Sequence, residues 1–177
     1  MTTPIFDTSL LKQEPWRYAF IAEAALPAVM LGIGSVWFAP KNNAAQKVVG
    51  RPPGVAFGII WLFLIIIWTL ALILAAMNFQ KNVALFGIGI FALCCVIMCF
   101  VWLVLYQKMH KNLAFFAILA SLAFMFGATL CASTSDSSRS KDAQTLVTVF
   151  FGMVGLWLLI ASNLSLVELN LQSLKEK

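Results

Sequence analysis

The stretch Arg51-Pro-Pro-Gly-Val-Ala-Phe-Gly-Ile-Ile-Trp61 decides how the rest of the chain is read. Proline has no N–H to donate and a fixed φ, so it fits the first turn of a helix and disrupts the middle of one. A Pro-Pro pair ahead of an unbroken apolar run therefore sets a boundary, with loop before it and helix after it. No charged residue occurs from Gly54 to Met77. At about 1.5 Å per residue, such a run is long enough to cross the roughly 30 Å hydrocarbon core of a bilayer. Phe57, Trp61, Leu64 and Trp68 recur at i, i+4, i+7 and i+11, which puts them on one helical face.

Four more apolar runs surround this one. Together the five occupy about 18–38, 54–77, 83–106, 113–131 and 146–169. Backbone polar groups in lipid must pair internally, so each run is expected to be a helix. The expectation is an all-α membrane protein, a single domain over 1–177 built as a bundle of five transmembrane helices. The short connections at 78–82 and 107–112 predict that their flanking helices are antiparallel neighbours. Longer polar stretches, 39–53 and 132–145, read as loops. No internal repeat and no broken helix is legible, so nothing in the sequence points to a transporter.

Composition agrees. Of 177 residues 62% are hydrophobic and 11% charged, whereas soluble domains carry about a quarter charged residues. The net charge of +5 is spread over several loops with no run of five basic residues, so nucleic acid is not an expected partner. The N-terminus lacks the pattern of a cleaved signal or transit peptide. Lys12, Arg17, Lys81, Arg139 and Lys141 fall on one side of a five-span topology. Lys41, Lys47, Arg51, Lys108, Lys111, Lys175 and Lys177 fall on the other. Seven against five leans the second group, and with it the C-terminus, toward the cytoplasm.

Residues able to carry chemistry are few. Cys94, Cys95, Cys99 and Cys131 all lie in apolar runs without disulfide or zinc spacing, and read as buried packing residues. His110 has no second ligand nearby, and Ser35, Ser121 and Ser162 have no His or Asp partner at recognisable spacing. Gly87-Ile-Gly89 is too short for a phosphate loop, and Asn163-Leu-Ser165, a glycosylation pattern, falls inside an apolar run. Glu23 is the acidic residue set within an apolar run. It reads either as an interfacial or structural carboxylate or as a proton or ligand site. Small residues at Ala28/Gly32/Ser35, Ala117/Ser121, Ala123/Gly127 and Gly152/Gly155 suggest close helix contacts inside the bundle. The tryptophans read either as interfacial belts and packing or as the wall of a cavity for a flat apolar ligand.

Pro52-Pro-Gly-Val-Ala-Phe-Gly-Ile-Ile-Trp61 resembles the second helix of the TspO/MBR family, the translocator or tryptophan-rich sensory proteins. Pro27 with Gly34-Ser35 looks like that family's first helix. Trp102 resembles the Trp late in its third helix, and Trp157, Ala161, Asn163 and Asn170 look like its fifth. The chain departs from the family at Gly50, Val55 and Ile65, where aromatic residues are usual, at Cys99-Phe-Val-Trp102-Leu, and at Ser165-Leu-Val-Glu168, which lacks the sterol-recognition pattern.

The resemblance implies a non-enzymatic binder of porphyrin, sterol or similar flat apolar ligands, in a mitochondrial or other cellular membrane. Its cavity would lie between helices one, two, three and five. No cofactor is implied beyond porphyrin or haem as ligand. The residues it assigns to ligand binding are Gly34, Phe57, Trp61, Trp102, Trp157 and Ala161, with no catalytic or metal set. The partners are that small ligand and the bilayer, with a homodimer or a membrane complex as the assembly. The alternative is a non-catalytic accessory subunit of a larger membrane complex.

Overall fold

The computed structural model describes residues 5–6, 8–37, 54–108, 110–135 and 139–175, with the side chains of 31, 34–37, 54–57, 107 and 171–175 excepted. The expected first loop, including Pro52 and Pro53, lies outside the described residues. Seven α-helices follow in order: α1 (Ser9–Gln13), α2 (Tyr18–Glu23), α3 (Leu26–Trp37), α4 (Gly54–Asn78), α5 (Asn82–Gln107), α6 (Lys111–Ser133) and α7 (Lys141–Lys175). A single 3-10 turn, Pro15–Arg17, joins α1 to α2. There is no β-strand among the described residues, and α4 is described from Gly54 onward.

Among the described residues four helices, α4 to α7, are long and apolar enough to cross a membrane. Their outward faces are as apolar as their inward ones. On α4, for example, Ile59, Leu62, Phe63, Ile66 and Leu70 are exposed while Leu64, Ile67, Trp68, Ala71 and Leu72 are buried. A soluble protein would carry polar residues outside; a helix apolar on all sides suits lipid on one face and protein on the other. The chain is thus consistent with a multi-pass membrane protein.

The first apolar run is not one helix. α2 stops at Glu23, a tighter turn follows in which the Ala25 N–H donates to Ala22 O (3.1 Å), and α3 starts at Leu26. The cause is Pro27, which has no N–H to return to the Glu23 carbonyl one turn back. The expectation of an unbroken helix over 18–38 is corrected here, and the expected count of five long helices becomes four long ones plus this divided segment.

Packing runs around a ring. α4 lies on α7, α7 on α6 and α6 on α5, and the ring closes through α2 against α4 and α3 against α5. α5 and α6 are neighbours, as their short connection predicts. α4 and α5 are joined by three residues yet hardly touch along their length, because the N-terminal segment wedges between them.

That wedge is anchored by Arg17, which is fully buried. Its Nη1 donates to the carbonyls of Ala76 (3.0 Å) and Phe79 (2.7 Å), its Nη2 to Asn82 Oδ1 (3.3 Å) and its Nε to Glu14 Oε2 (2.6 Å). The last carbonyls of a helix have no partner within it and sit at the negative end of its dipole, so a guanidinium satisfies both needs at the end of α4. Trp16 stacks on Phe86 of α5 (centroids 5.0 Å apart, 11° between planes), fixing the other side of the wedge. Nearby, Asn78 Nδ2 donates to Ile5 O (2.8 Å), the Arg139 N–H to Asn78 O (2.7 Å) and Arg139 Nη1 to Ser9 Oγ. The N-terminal segment, the 78–82 turn and the 134–140 connection therefore share one end of the bundle, and Tyr106 with Glu168 marks the opposite end.

α7 is longer at its start than the apolar run 146–169 implies. The Ala143 N–H donates to Ser140 Oγ (3.3 Å), an N-cap that begins the helix in the polar connection. Gln144, one turn on, donates through Nε2 to Ala132 O (3.2 Å), Ser133 O (3.3 Å) and Ser135 O (2.6 Å), covering the open carbonyls at the end of α6. Gln144→Ala is expected to lower stability by about 1–2 kcal/mol, the scale of leaving such acceptors unpaired. Gln144→Glu is expected to do no better, since a carboxylate has no N–H to donate. Unfolding midpoints of the two variants in detergent check this; a wild-type midpoint for either shows that the carbonyls find other donors.

The small-residue stripes divide. A Cβ on Gly127 would lie 3.0 Å from Phe91, so this glycine does allow close approach, as does Gly89, outside the stripes, whose Cβ would run into the Phe20 ring. Gly32 and Gly152 would meet nothing within 4 Å, and Ala28 is exposed, so those positions face outward rather than into the bundle. Periodicity gives spacing but not which way a face turns.

Candidate functional site

An apolar crevice opens inside the ring between α3, α4, α5 and α7. Its walls are Pro27 and Met30 from α3, Trp61, Leu64, Ile65 and Trp68 from α4, Val96 and Cys99 from α5, and Val154 from α7. The unfilled space is about 340 Å³ counting its open side, while the inner part has room for little more than one water molecule, about 20 Å³. The α4 contribution is the Trp61, Leu64, Trp68 face already visible as i, i+3, i+7 in the sequence. The same Pro27 that divides the first run puts its ring on the opposing wall.

Trp61 lines the crevice, and its ring stacks on Trp102 of α5 (centroids 6.3 Å, 24° between planes), which in turn packs against Tyr106 (5.8 Å). This ladder bridges α4 and α5 at the end away from their connecting turn. Beyond it, the Tyr106 hydroxyl donates to Glu168, with its Oη 2.8 and 3.0 Å from the two carboxylate oxygens. Glu168 on α7 is 8% exposed, and the phenol O–H is the kind of donor a buried carboxylate requires.

The expected ligand-binding residues are therefore spread over several settings. Trp61 is in the wall. Trp102 stands behind it, touching Trp61 but not lining the space. Trp157 and Ala161 are buried on the inward face of α7 with Val154, Leu158 and Ser165, again not lining. Gly34 and Phe57 belong to helices α3 and α4, but their side chains lie outside the described residues. Trp68, Met30 and Cys99 are wall residues that the site expectation did not include. For Trp68 the signal was present, since it lies on the Trp61 face. For Met30 and Cys99 only the packing of α3 on α5 brings them in.

Polar groups at or near the crevice are sparse. Trp68 is 4% exposed and its indole N–H has no acceptor. Cys99 is buried beside Cys95, one turn back on α5, and Ser121 of α6, as small thiols commonly are. Among the described residues no cluster of three or more His, Cys, Asp or Glu is placed to hold a metal ion. One turn below Pro27, Glu23 lies against α5 with Oε2 3.2 Å from where a Gly89 Cβ would be, and its Oε1 is buried without a partner. His110 caps the start of α6 from an exposed position. Asn163 spends its amide on the Leu159 carbonyl (2.8 Å) within α7. No family model, no curated protein and no solved structure matches this chain.

Proposed function

We propose that the chain is an integral membrane protein of five crossings, with the divided α2–α3 segment as the fifth. In this reading it binds a flat apolar molecule of the porphyrin or sterol class in the crevice of α3, α4, α5 and α7, as its resemblance to the TspO/MBR family suggests. The observation that carries the reading is the crevice itself, which has apolar walls from four helices and two indoles set two turns apart on α4. Its enclosed part, about 20 Å³, is well below the roughly 300–1,000 Å³ of small-molecule sites, so the walls must part to admit an occupant. Binding rather than catalysis is proposed, in line with that resemblance.

The second reading, a non-catalytic accessory subunit, is favoured by the narrow interior of about 20 Å³. Titration of purified protein with protoporphyrin and with a sterol, followed by tryptophan quenching, separates the two. Trp61→Ala and Trp68→Ala are each expected to weaken binding at least several-fold, because each removes apolar area and an aromatic pairing worth about 0.5–1.5 kcal/mol beyond that area. Trp157→Ala is expected to leave it within about twofold, a change of under 0.5 kcal/mol. Saturable binding indifferent to Trp61 and Trp68 moves the site elsewhere. Absence of saturable binding, with a partner co-purifying at fixed stoichiometry, establishes the accessory reading instead.

A further inference from the structure

Glu23 has no place in a site for a neutral hydrocarbon. The crevice wall on α3 and the carboxylate on α2 belong to one face, because Glu23, Pro27 and Met30 follow at i, i+4 and i+7, and Ala24, at the break, keeps right-handed helical angles (φ −59°, ψ −22°). α5 gives the same order. Glu23 meets Gly89, while the wall residues Val96 and Cys99 lie seven and ten residues further on, about 10–15 Å along α5; along the α2–α3 segment Pro27 and Met30 lie about 6–10 Å from Glu23. No cation pairs with it among the described residues. Arg17, the nearest basic residue along the chain, is already committed to Glu14, Asn82 and the Ala76 and Phe79 carbonyls. A carboxylate taken out of water without a partner is costly, and Oε1 is both buried and unpartnered. Trp61 and Trp68 line the crevice, and the face of an indole is the negative side of its aromatic quadrupole.

We propose that the occupant of this crevice is an amphiphilic organic cation, its positive nitrogen paired with Glu23 and its apolar body lying against Trp61 and Trp68. The inference rests on the ligand-binding reading above and narrows it. Among flat apolar molecules the crevice selects those bearing a positive charge, and it disfavours dianionic porphyrins, whose carboxylates Glu23 repels. The charge of such a ligand supplies the partner that Glu23 lacks, while its rings replace the water and lipid that an open crevice would admit.

The test uses the purified full chain in a neutral detergent. Tryptophan quenching is read against ethidium, a planar aromatic cation, phenanthridine, its uncharged ring system, and protoporphyrin. Ethidium is expected to bind about tenfold or more tighter than phenanthridine, the scale of one desolvated charge pair or cation–π contact. Glu23→Gln is expected to abolish that preference while leaving phenanthridine within about twofold. A preference that survives Glu23→Gln, or equal binding of the two ligands to the wild type, overturns the cation inference and leaves the apolar-ligand reading standing. Failure of all three ligands to bind overturns both. Should Glu23→Gln not fold, Glu23→Asp, which keeps the charge, is expected to retain the preference, and the wild-type comparison decides.

Discussion

Arg17→Ala is expected to cost about 3–5 kcal/mol of stability, the scale of removing one partner from a buried charged network. Arg17 is 0% exposed. Without it the carbonyls of Ala76 and Phe79 lose their donor at the end of α4, and Glu14 loses the guanidinium 2.6 Å away. The α1–α2 wedge is then left with the packing of Leu11, Trp16 and Phe20 and with the hydrogen bonds that Asn78 donates to Ile5 O, Arg139 to Ser9 Oγ and Thr69 Oγ1 to Ala24 O. Arg17→Lys keeps the charge but not the fork, so it reaches one carbonyl at a time and is expected to recover only part of the loss. Equilibrium unfolding in mixed micelles, with wild type and both variants side by side, measures the difference. If Arg17→Ala unfolds within about 1 kcal/mol of wild type, the value typical of an exposed pair, the guanidinium does not anchor the wedge. The same burial removes Arg17 from the pool of loop charges that orient the protein, because its charge is neutralised inside the fold and not presented to a membrane surface.

Gly89→Ala is expected to be the most damaging glycine substitution in the bundle. The new Cβ would stand 2.3 Å from Phe20 Cε1, 3.1 Å from Phe20 Cδ1 and 3.2 Å from Glu23 Oε2. Phe20 is itself buried, held between Trp16 and Phe86 at centroid distances of 5.9 and 6.1 Å, so the ring cannot simply swing away and α2 must shift off α5. Overpacking of this kind costs about 1–3 kcal/mol. Gly152→Ala, with nothing within 4 Å of its Cβ, is expected to be neutral or to stabilise by up to about 1 kcal/mol through helix propensity alone. If α2 lies on α5, the thermal midpoint falls for Gly89→Ala and holds or rises for Gly152→Ala. A harmless Gly89→Ala places α2 elsewhere. Because Glu23 rides on the same surface, Gly89→Ala also tests whether the carboxylate's setting depends on that contact.

The sequence alone determined the class of this protein and the ends of its long helices. Runs of apolar residues without charge dictate helices in lipid, whatever their neighbours, because no water is present to satisfy the backbone. α5 and α6 end within two residues of where charge and polarity return. The Trp61–Leu64–Trp68 face was legible too, because helical periodicity is local. The ends of α7 were less so. Its early start depends on Ser140 acting as a cap, which a polar connection does not advertise.

Tertiary structure decided the rest. Pro27 was visible, but whether a proline kinks, divides or simply opens a helix depends on what receives the freed carbonyl and on which neighbours close around the break. Arg17 looked like a loop charge until the fold brought the end of α4 to it across 59 residues. The wedge that separates α4 from α5, the inward or outward turn of each small-residue stripe, and the meeting of Met30, Trp68 and Cys99 in one crevice all follow from which helix lies beside which. In a chain whose helices are apolar on every side, periodicity carries almost no information about that choice. Lipid and protein are equally acceptable to a leucine, and only steric fit and a handful of buried polar groups break the tie.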